Sequence, residues 1–349
     1  MTDQEKVAAA LAALKELGVT VADLAAEPTS RAVPTVAEYL PQVLAAAGPG
    51  ARRTYGSYWA KMAAVWGDRR LTEILASDVE ALQREARATA RVRRNGRGGR
   101  HAGEHLIAAA RAFFLRAIAD GYLARDESPA HRVAKPRRLP SPRRALTAEE
   151  LEQINLVART SGNDVVLDAL LLRLHTETGC RRGGALRLRL MDLDSRGGLV
   201  RLREKGETER WQPISLGLAT RLAEHAQVRC AVLPSDSLLR YRDGSPLTSR
   251  RYDNLWHRIG EELPWVAAQG ISTHWLRHTT LTWVERHFGY GVARAYAGHT
   301  DSHGAATTTY IKADVQDVAT ALAAMTGQPH PLAGAPSDLL GSGVSGSKG

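Results

Sequence analysis

The stretch KPRRLPSPRRAL, residues 135–146, divides the chain. Its three prolines and four arginines, with few apolar residues, specify an extended linker rather than a packed element. Directly after it, Thr147 and Glu150 stand in the S/T-x-x-E relation of a helix capping box, so a new folded unit begins there, expected over 147–326. Helical patterning dominates that unit with one exception. GLVRLR (198–203) alternates apolar and basic residues, and RWQPIS (210–215) follows after EKGETE, which is a hairpin signature. Upstream, residues 34–134 read as helical throughout. The clearest segment has Leu106, Ile107, Ala110, Phe113, Phe114, Ala117 and Ile118 on one apolar stripe, the core helix of an all-α unit. Residues 1–33 form an appendage opened by a short amphipathic helix over residues 4–17. The tail over 327–349, rich in Gly, Pro and Ser, is expected to be disordered.

A length of 349 residues accommodates two domains with real cores, and 44% apolar with 24% charged residues is too hydrophobic for a disordered chain. No run approaches the roughly 20 uncharged apolar residues of a membrane span. The opening MTDQEKVAAALAALKELG carries charge where a secretory signal needs an uninterrupted apolar stretch, and Cys180 and Cys230 are the only cysteines. A soluble protein of the reducing cytoplasm is expected. The net charge is +10, and residues 84–144 hold 16 Lys or Arg against 5 Asp or Glu, or +11, which leaves −1 for the remainder. Such a concentration points to a partner with regularly spaced phosphates, so nucleic acid leads and an acidic membrane is the alternative. Within it, RVRRNGRGGRHAG (91–103) combines four glycines with five arginines and is expected to hold no regular element. Arg91, Arg93, Arg94, Arg97 and Arg100, with Arg137 and Arg138 of the linker, are the candidate phosphate contacts; a solvated charge run is the competing reading.

Four constellations could carry chemistry. Only seven of the 47 basic residues are lysines, and Lys205 stands alone between Lys135 and Lys312 at the expected hairpin tip. An ammonium can give up a proton whereas a guanidinium effectively cannot, so Lys205 fits a proton donor; it equally fits a surface charge on a loop. In STHWLRHTT, His274, Arg277 and His278 fall at i, i+3 and i+4, one face of a helix that could hold a phosphate or simply cap a core. A zinc site is excluded there, because Arg277 would sit among the ligands and the H-E-x-x-H pattern is absent. In AYAGHTDSHGAATTTYIKAD, His299 lies in a glycine turn and Tyr310 follows a Thr run; a tyrosine hydroxyl can attack phosphorus beside stabilising cations, or the ring can be packed core. In HTETGCRRGGALRLRLMDLD, Thr178 and Gly179 break a helix and hold Arg181 at the start of the next, unless Arg181 is one more surface arginine. No Walker loop, dinucleotide fingerprint or paired-carboxylate metal site occurs, so neither cofactor nor metal is expected.

In the order TGCR, EKG, HWLR, AGH and TTTY, these pieces resemble the tyrosine recombinase (phage integrase) family over roughly residues 34–326. The resemblance implies a mainly α fold with a small β-sheet. A helical core-binding domain and an α+β catalytic domain would close on double-stranded DNA as a C-shaped clamp. It implies further that Arg181 and Arg277 bind the nonbridging oxygens of the scissile phosphate. Lys205 would protonate the departing 5′ oxygen, His274 would act as general base and phosphate ligand, and His299 would donate a hydrogen bond. Tyr310 would be the nucleophile of a 3′-phosphotyrosyl intermediate. Implied partners are paired DNA sites, a tetramer upon them, and an accessory DNA-bending or directionality factor. Integrase of a mobile element is the leading function. A chromosome-dimer resolvase or type IB topoisomerase shares the chemistry, and a catalytically inactive DNA-binding regulator is the alternative of another class. Two departures stand out. The acidic residue usual three positions after the first arginine is replaced by Gly184, with Glu177 a candidate substitute, and the interval from His299 to Tyr310 is slightly long, which makes Tyr296 and Tyr290 competing nucleophiles. Val315, Val318, Leu322 and Met325 give the following segment a narrow apolar face; docking on its own domain is the plain reading, whereas the resemblance favours docking on a neighbouring protomer.

Overall fold

Two helices that begin the packed parts of the chain are started by the same device. Thr35 Oγ1 accepts from the Glu38 amide at 3.3 Å while Glu38 Oε2 accepts from the Thr35 amide at 2.8 Å. Thr147 and Glu150 exchange the same pair of bonds at 2.9 and 3.1 Å, so the capping box read from sequence forms. In this computed structural model, residues 2–16, 32–90, 99–135, 143–203, 209–298 and 313–333 are described. The chain divides into two units, Met1–Pro140 and Ser141–Gly349.

The first unit holds α1 (Asp3–Glu16), α2 (Val36–Ala46), α3 (Pro49–Trp66), α4 (Ala76–Ala88), α5 (Arg100–Ala119) and α6 (Pro129–Arg132). The stripe on α5 is its core: Leu106, Ile107, Ala110, Phe113, Phe114 and Ala117 are all fully buried. Tyr39 from α2 sets its ring edge-on to Phe113 and donates its hydroxyl to Asp120 Oδ2 at 2.6 Å; Trp59 from α3 donates to the Ala109 carbonyl at 2.9 Å. Two expectations need correction. Residues 100–103 are not loop but the first turn of α5, entered through Gly99 at φ +75°, and Gly103 is buried because its lack of a side chain admits Gln83. The helix near the N-terminus forms, but none of its described side chains is buried; Val7 and Leu11 face solvent, so its periodicity meets no core.

The second unit contains α7 (Ala148–Thr160), α8 (Val165–Thr178), α9 (Arg182–Ala185), α10 (Leu216–Val228), α11 (Ser249–Glu262), α12 (Pro264–Gln269), α13 (Thr273–Ala297, interrupted at Gly289) and α14 (Val315–Thr326). The expected hairpin is β2 (Leu199–Arg203) and β3 (Glu209–Pro213), antiparallel with Val200 opposite Gln212 and Leu202 opposite Arg210. A two-residue strand, β1 (Leu193–Asp194), extends the sheet in the order β1-β2-β3. Val200 and Leu202 turn into a core shared with Leu171, Leu174, Leu218 and Leu222. On the opposite face, Arg201 and Arg203 converge on the fully buried Asp192, each with a contact of 2.7 to 2.9 Å. The fold is thus mainly α with a small sheet.

The apolar face of α14 is occupied within its own unit. Val318, Ala319, Ala321 and Leu322 are buried, and Val318, Ala321 and Leu322 pack with Val284, Ala293 and Tyr296 of α13. This is docking on its own domain: a short helix buries its stripe on an apolar surface, and here α13 supplies one. Residues 327–333, expected as part of a disordered tail, continue the unit. His330 is buried, with Nε2 2.9 Å from the Gly198 carbonyl.

Candidate active site

The end of α8 is where the first arginine is placed. Gly179 takes the left-handed conformation at φ +55°, and its amide closes the helix on the His175 carbonyl at 3.0 Å. The chain then runs extended through Arg181, which caps α9 and is half-buried. Beneath this turn Cys180 is buried, its sulfur 3.4 Å from His175 Nδ1, and His175 Nε2 lies 2.9 Å from the Tyr252 hydroxyl. The sequence reading of Thr178 and Gly179 as a break that presents Arg181 describes this geometry.

Three bonds tie that turn to α13. Thr280 donates its hydroxyl to the Thr176 carbonyl at 2.7 Å, Tyr296 donates to the Glu177 carbonyl, and Arg277 Nη1 donates to the Gly179 carbonyl. Arg277 is only 4% exposed, and its Nη2 donates to the Ala297 carbonyl at 2.9 Å, so one guanidinium joins the Arg181 turn to the exit of α13. A lysine could not make this forked contact.

His274, Arg277 and His278 share a helix but not a duty. His278 donates Nε2–H to the Arg143 carbonyl at 3.2 Å, and its Nδ1, 3.0 Å from Thr282 Oγ1, accepts there. It holds the chain entering the unit. His274 is exposed, and its pKa is depressed by desolvation first and then by the charges of Arg143, Arg277 and Arg181. The positive charges of Arg143, Arg277 and Arg181 thus act on this imidazole and disfavour its protonated form. That arrangement can receive a tetrahedral anion and accept a proton beside it. Arg143 was not singled out in the sequence, where it is one of four linker arginines; no local signal marks it.

Glu177 does not take over the role of the missing acid at Gly184. Its carboxylate accepts from Arg173 Nε at 2.7 Å and from the Ser215 amide and hydroxyl at 2.8 and 2.9 Å, which fixes the start of α10. Of the competing tyrosines, Tyr296 is fully buried, its hydroxyl spent on Glu177 and its pKa pushed far above the phenol range by burial. Tyr290 is 57% exposed, its ring 5.6 Å from the Arg294 guanidinium. Lys205, His299 and Tyr310 lie outside the described residues, as do Arg91, Arg93, Arg94, Arg97, Arg137 and Arg138; Arg100 is half-buried at the start of α5. Among the described residues no group of three or more His, Cys, Asp or Glu could hold a metal ion, and no helix is long and apolar enough to cross a membrane.

A sequence profile of the phage integrase family matches residues 144–317. The tyrosine recombinase XerC of Azotobacter vinelandii is 30% identical over 234 residues, 65% of this chain and 73% of that protein. The tyrosine recombinase XerC of Chlamydia caviae is 25% identical over 185 residues, 52% of this chain and 58% of that protein's length. Among solved structures, a lambda integrase dimer bound to a COC′ core site superposes with a TM-score of 0.58 at 19% identity, covering 89% of this chain and 87% of that one. A lambda integrase tetramer bound to a Holliday junction gives 0.58 at 18% identity, covering 87% and 90%. At these identities the structures speak to the fold.

Proposed function

Because the chain belongs to the phage integrase family of tyrosine recombinases, we propose that it cuts and rejoins double-stranded DNA through a covalent phosphotyrosyl intermediate. The observation that carries this reading is the bond from Arg277 Nη1 to the Gly179 carbonyl, which joins the turn that presents Arg181 to the helix that bears His274 and Arg277. A phosphodiester seated there would lie beside the charges of Arg181 and Arg277, which would stabilise the negative charge that accumulates on its nonbridging oxygens in a pentacoordinate transition state. Tyr310 Oη then forms a bond to phosphorus as the bond from phosphorus to the 5′ oxygen breaks. The phenolic proton passes to His274, and Lys205 supplies the proton that the leaving 5′ oxygen takes up, with His299 donating a hydrogen bond to the phosphate. Rejoining is the reverse with a 5′ hydroxyl from another strand, so no bond energy is lost and no nucleotide is consumed. Arg91, Arg93, Arg94, Arg97, Arg100, Arg137 and Arg138 would supply phosphate contacts that carry no sequence information.

For the biological setting we propose integration of a mobile element. The XerC names of the two relatives favour a second reading, a resolvase of chromosome dimers. The sites distinguish them: an integrase joins two unlike sites, a resolvase two like ones. The tetrameric lambda integrase on a Holliday junction supports assembly of four copies on paired sites. The test is Tyr310→Phe on a nicked duplex carrying the site. It should bind as the parent protein does yet leave no denaturation-resistant adduct. An adduct that persists would overturn the assignment.

A further inference from the structure

The exit of α13 is gripped by two arginines from different parts of the unit. Arg277 bonds the Ala297 carbonyl from within the helix at 2.9 Å. Arg210, on β3 opposite Leu202, crosses from the sheet, and its Nη2 donates to the Tyr296 carbonyl at 3.1 Å. Its Nε donates to Gln212 Oε1 at 3.2 Å, and Gln212 is itself buried, so the guanidinium is aimed from behind. The acceptors belong to the last turn of a helix, where carbonyls lack intrahelical partners and the dipole is negative, so a cation is the fitting cap. Gly298 ends the helix at φ +66° and lies directly against the same guanidinium; a Cβ there would stand 2.3 Å from Nη1 and 2.7 Å from Cζ. His299 is the next residue in the chain, and Tyr310 follows in the same segment.

We infer that Arg210 is a positioning residue for strand cleavage. Through the Tyr296 carbonyl and Gly298 it holds the end of α13, from which the sequence continues to His299 and Tyr310. The inference rests on the assignment of Tyr310 as nucleophile. Its point of action is the exit of the helix, not proton delivery from the β2–β3 hairpin that bears Lys205, and the two duties separate chemically. A 5′-bridging sulfur leaves without a proton, so a defect in the acid shrinks on such a substrate whereas a misdirected nucleophile is slow on both.

The experiment uses the full chain and pairs Arg210→Ala with Gly298→Ala, singly and together. Misplacement by about 1 Å can cost on the order of 100-fold, so Arg210→Ala should slow single-turnover adduct formation by roughly 10- to 100-fold on oxygen and sulfur substrates alike. Lys205→Ala should be largely rescued by sulfur. Gly298→Ala should be slow as well, and adding Arg210→Ala to it should cost less than Arg210→Ala does alone, because the clashing group is gone. Amide hydrogen exchange over residues 293–298 should accelerate at least about tenfold in Arg210→Ala, with residues 275–284 unchanged, because the end of the helix loses one of its two arginine caps. Unchanged exchange with unchanged rates would overturn the inference, and so would a defect that disappears on sulfur. If Arg210→Ala fails to fold, Arg210→Lys decides: loosening confined to the last turn supports the anchor, and loosening spread through the unit refutes it. A parent protein that forms no adduct would sink the functional reading, while exchange would still judge the anchor.

Discussion

Tyr296→Phe removes one oxygen from the centre of the second unit and separates a structural tyrosine from the nucleophile. The ring is fully buried between α13 and α14, and its hydroxyl donates to the backbone carbonyl of Glu177 at the end of α8. The ring stays in the variant, so apolar burial is nearly unchanged and no large cavity opens. What is lost is a hydrogen bond to a carbonyl shielded from water, about 1–3 kcal/mol. For a unit of this size that corresponds to a fall of roughly 3–10 °C in melting temperature. Calorimetry of the full chain measures the shift, and denaturing electrophoresis after incubation with nicked duplex measures the adduct. Tyr296→Phe should melt earlier and still form adduct within a few-fold of the parent rate, whereas Tyr310→Phe should melt like the parent and form none. A folded Tyr296→Phe without adduct would refute the assignment, and an unchanged melting temperature would show that the bond to Glu177 contributes nothing.

Three further outcomes follow from the packing. Truncation after Lys312 removes Val318 and Leu322 from the core against α13, about 1.5–3 kcal/mol each, so the second unit should unfold at lower urea; normal stability with lost assembly would mean that α14 serves a neighbour instead. Asp168→Asn should cost about 3–5 kcal/mol in urea titrations, because the buried Arg251, 2.7 Å from the carboxylate, and Arg258 beside it lose their counter-charge; a change below 1 kcal/mol would contradict the pairing. His225 is held neutral, its pKa pushed down to about 4 by burial and then by Arg229, while its Nε2 accepts from the Arg240 amide at 3.2 Å. Its contribution is complete above the unfolded value near 6.5 and is lost as pH falls toward 4, a stability loss of order 2–3 kcal/mol that His225→Asn should flatten. An equal acid slope in both proteins would remove His225 from that role.

The sequence by itself determined the features whose causes are local. The capping box at Thr147 and Glu150, the stripe from Leu106 to Ala117, the break at Gly179 that presents Arg181, and the pairing of GLVRLR with the strand after it all depend on residues within a few turns of one another. Backbone propensity and hydrophobic period act over that range, so they can be read without a partner. Periodicity names the face that will be buried but not the surface that covers it. The apolar side of α14 was therefore legible, and its burial on α13 was not. The same limit applies to charge. In the sequence Arg143 is one of many arginines and Tyr296 one of several tyrosines; only the tertiary structure brings the charge of Arg143 to act on His274 and closes the Tyr296 hydroxyl on the Glu177 carbonyl. Arg210 is equally silent until β3 comes to lie beside the last turn of α13, 86 residues away in the chain. Which polar group meets which across such distances is settled by the way helices pack and desolvate them, and that selection has no local signature for a sequence to carry.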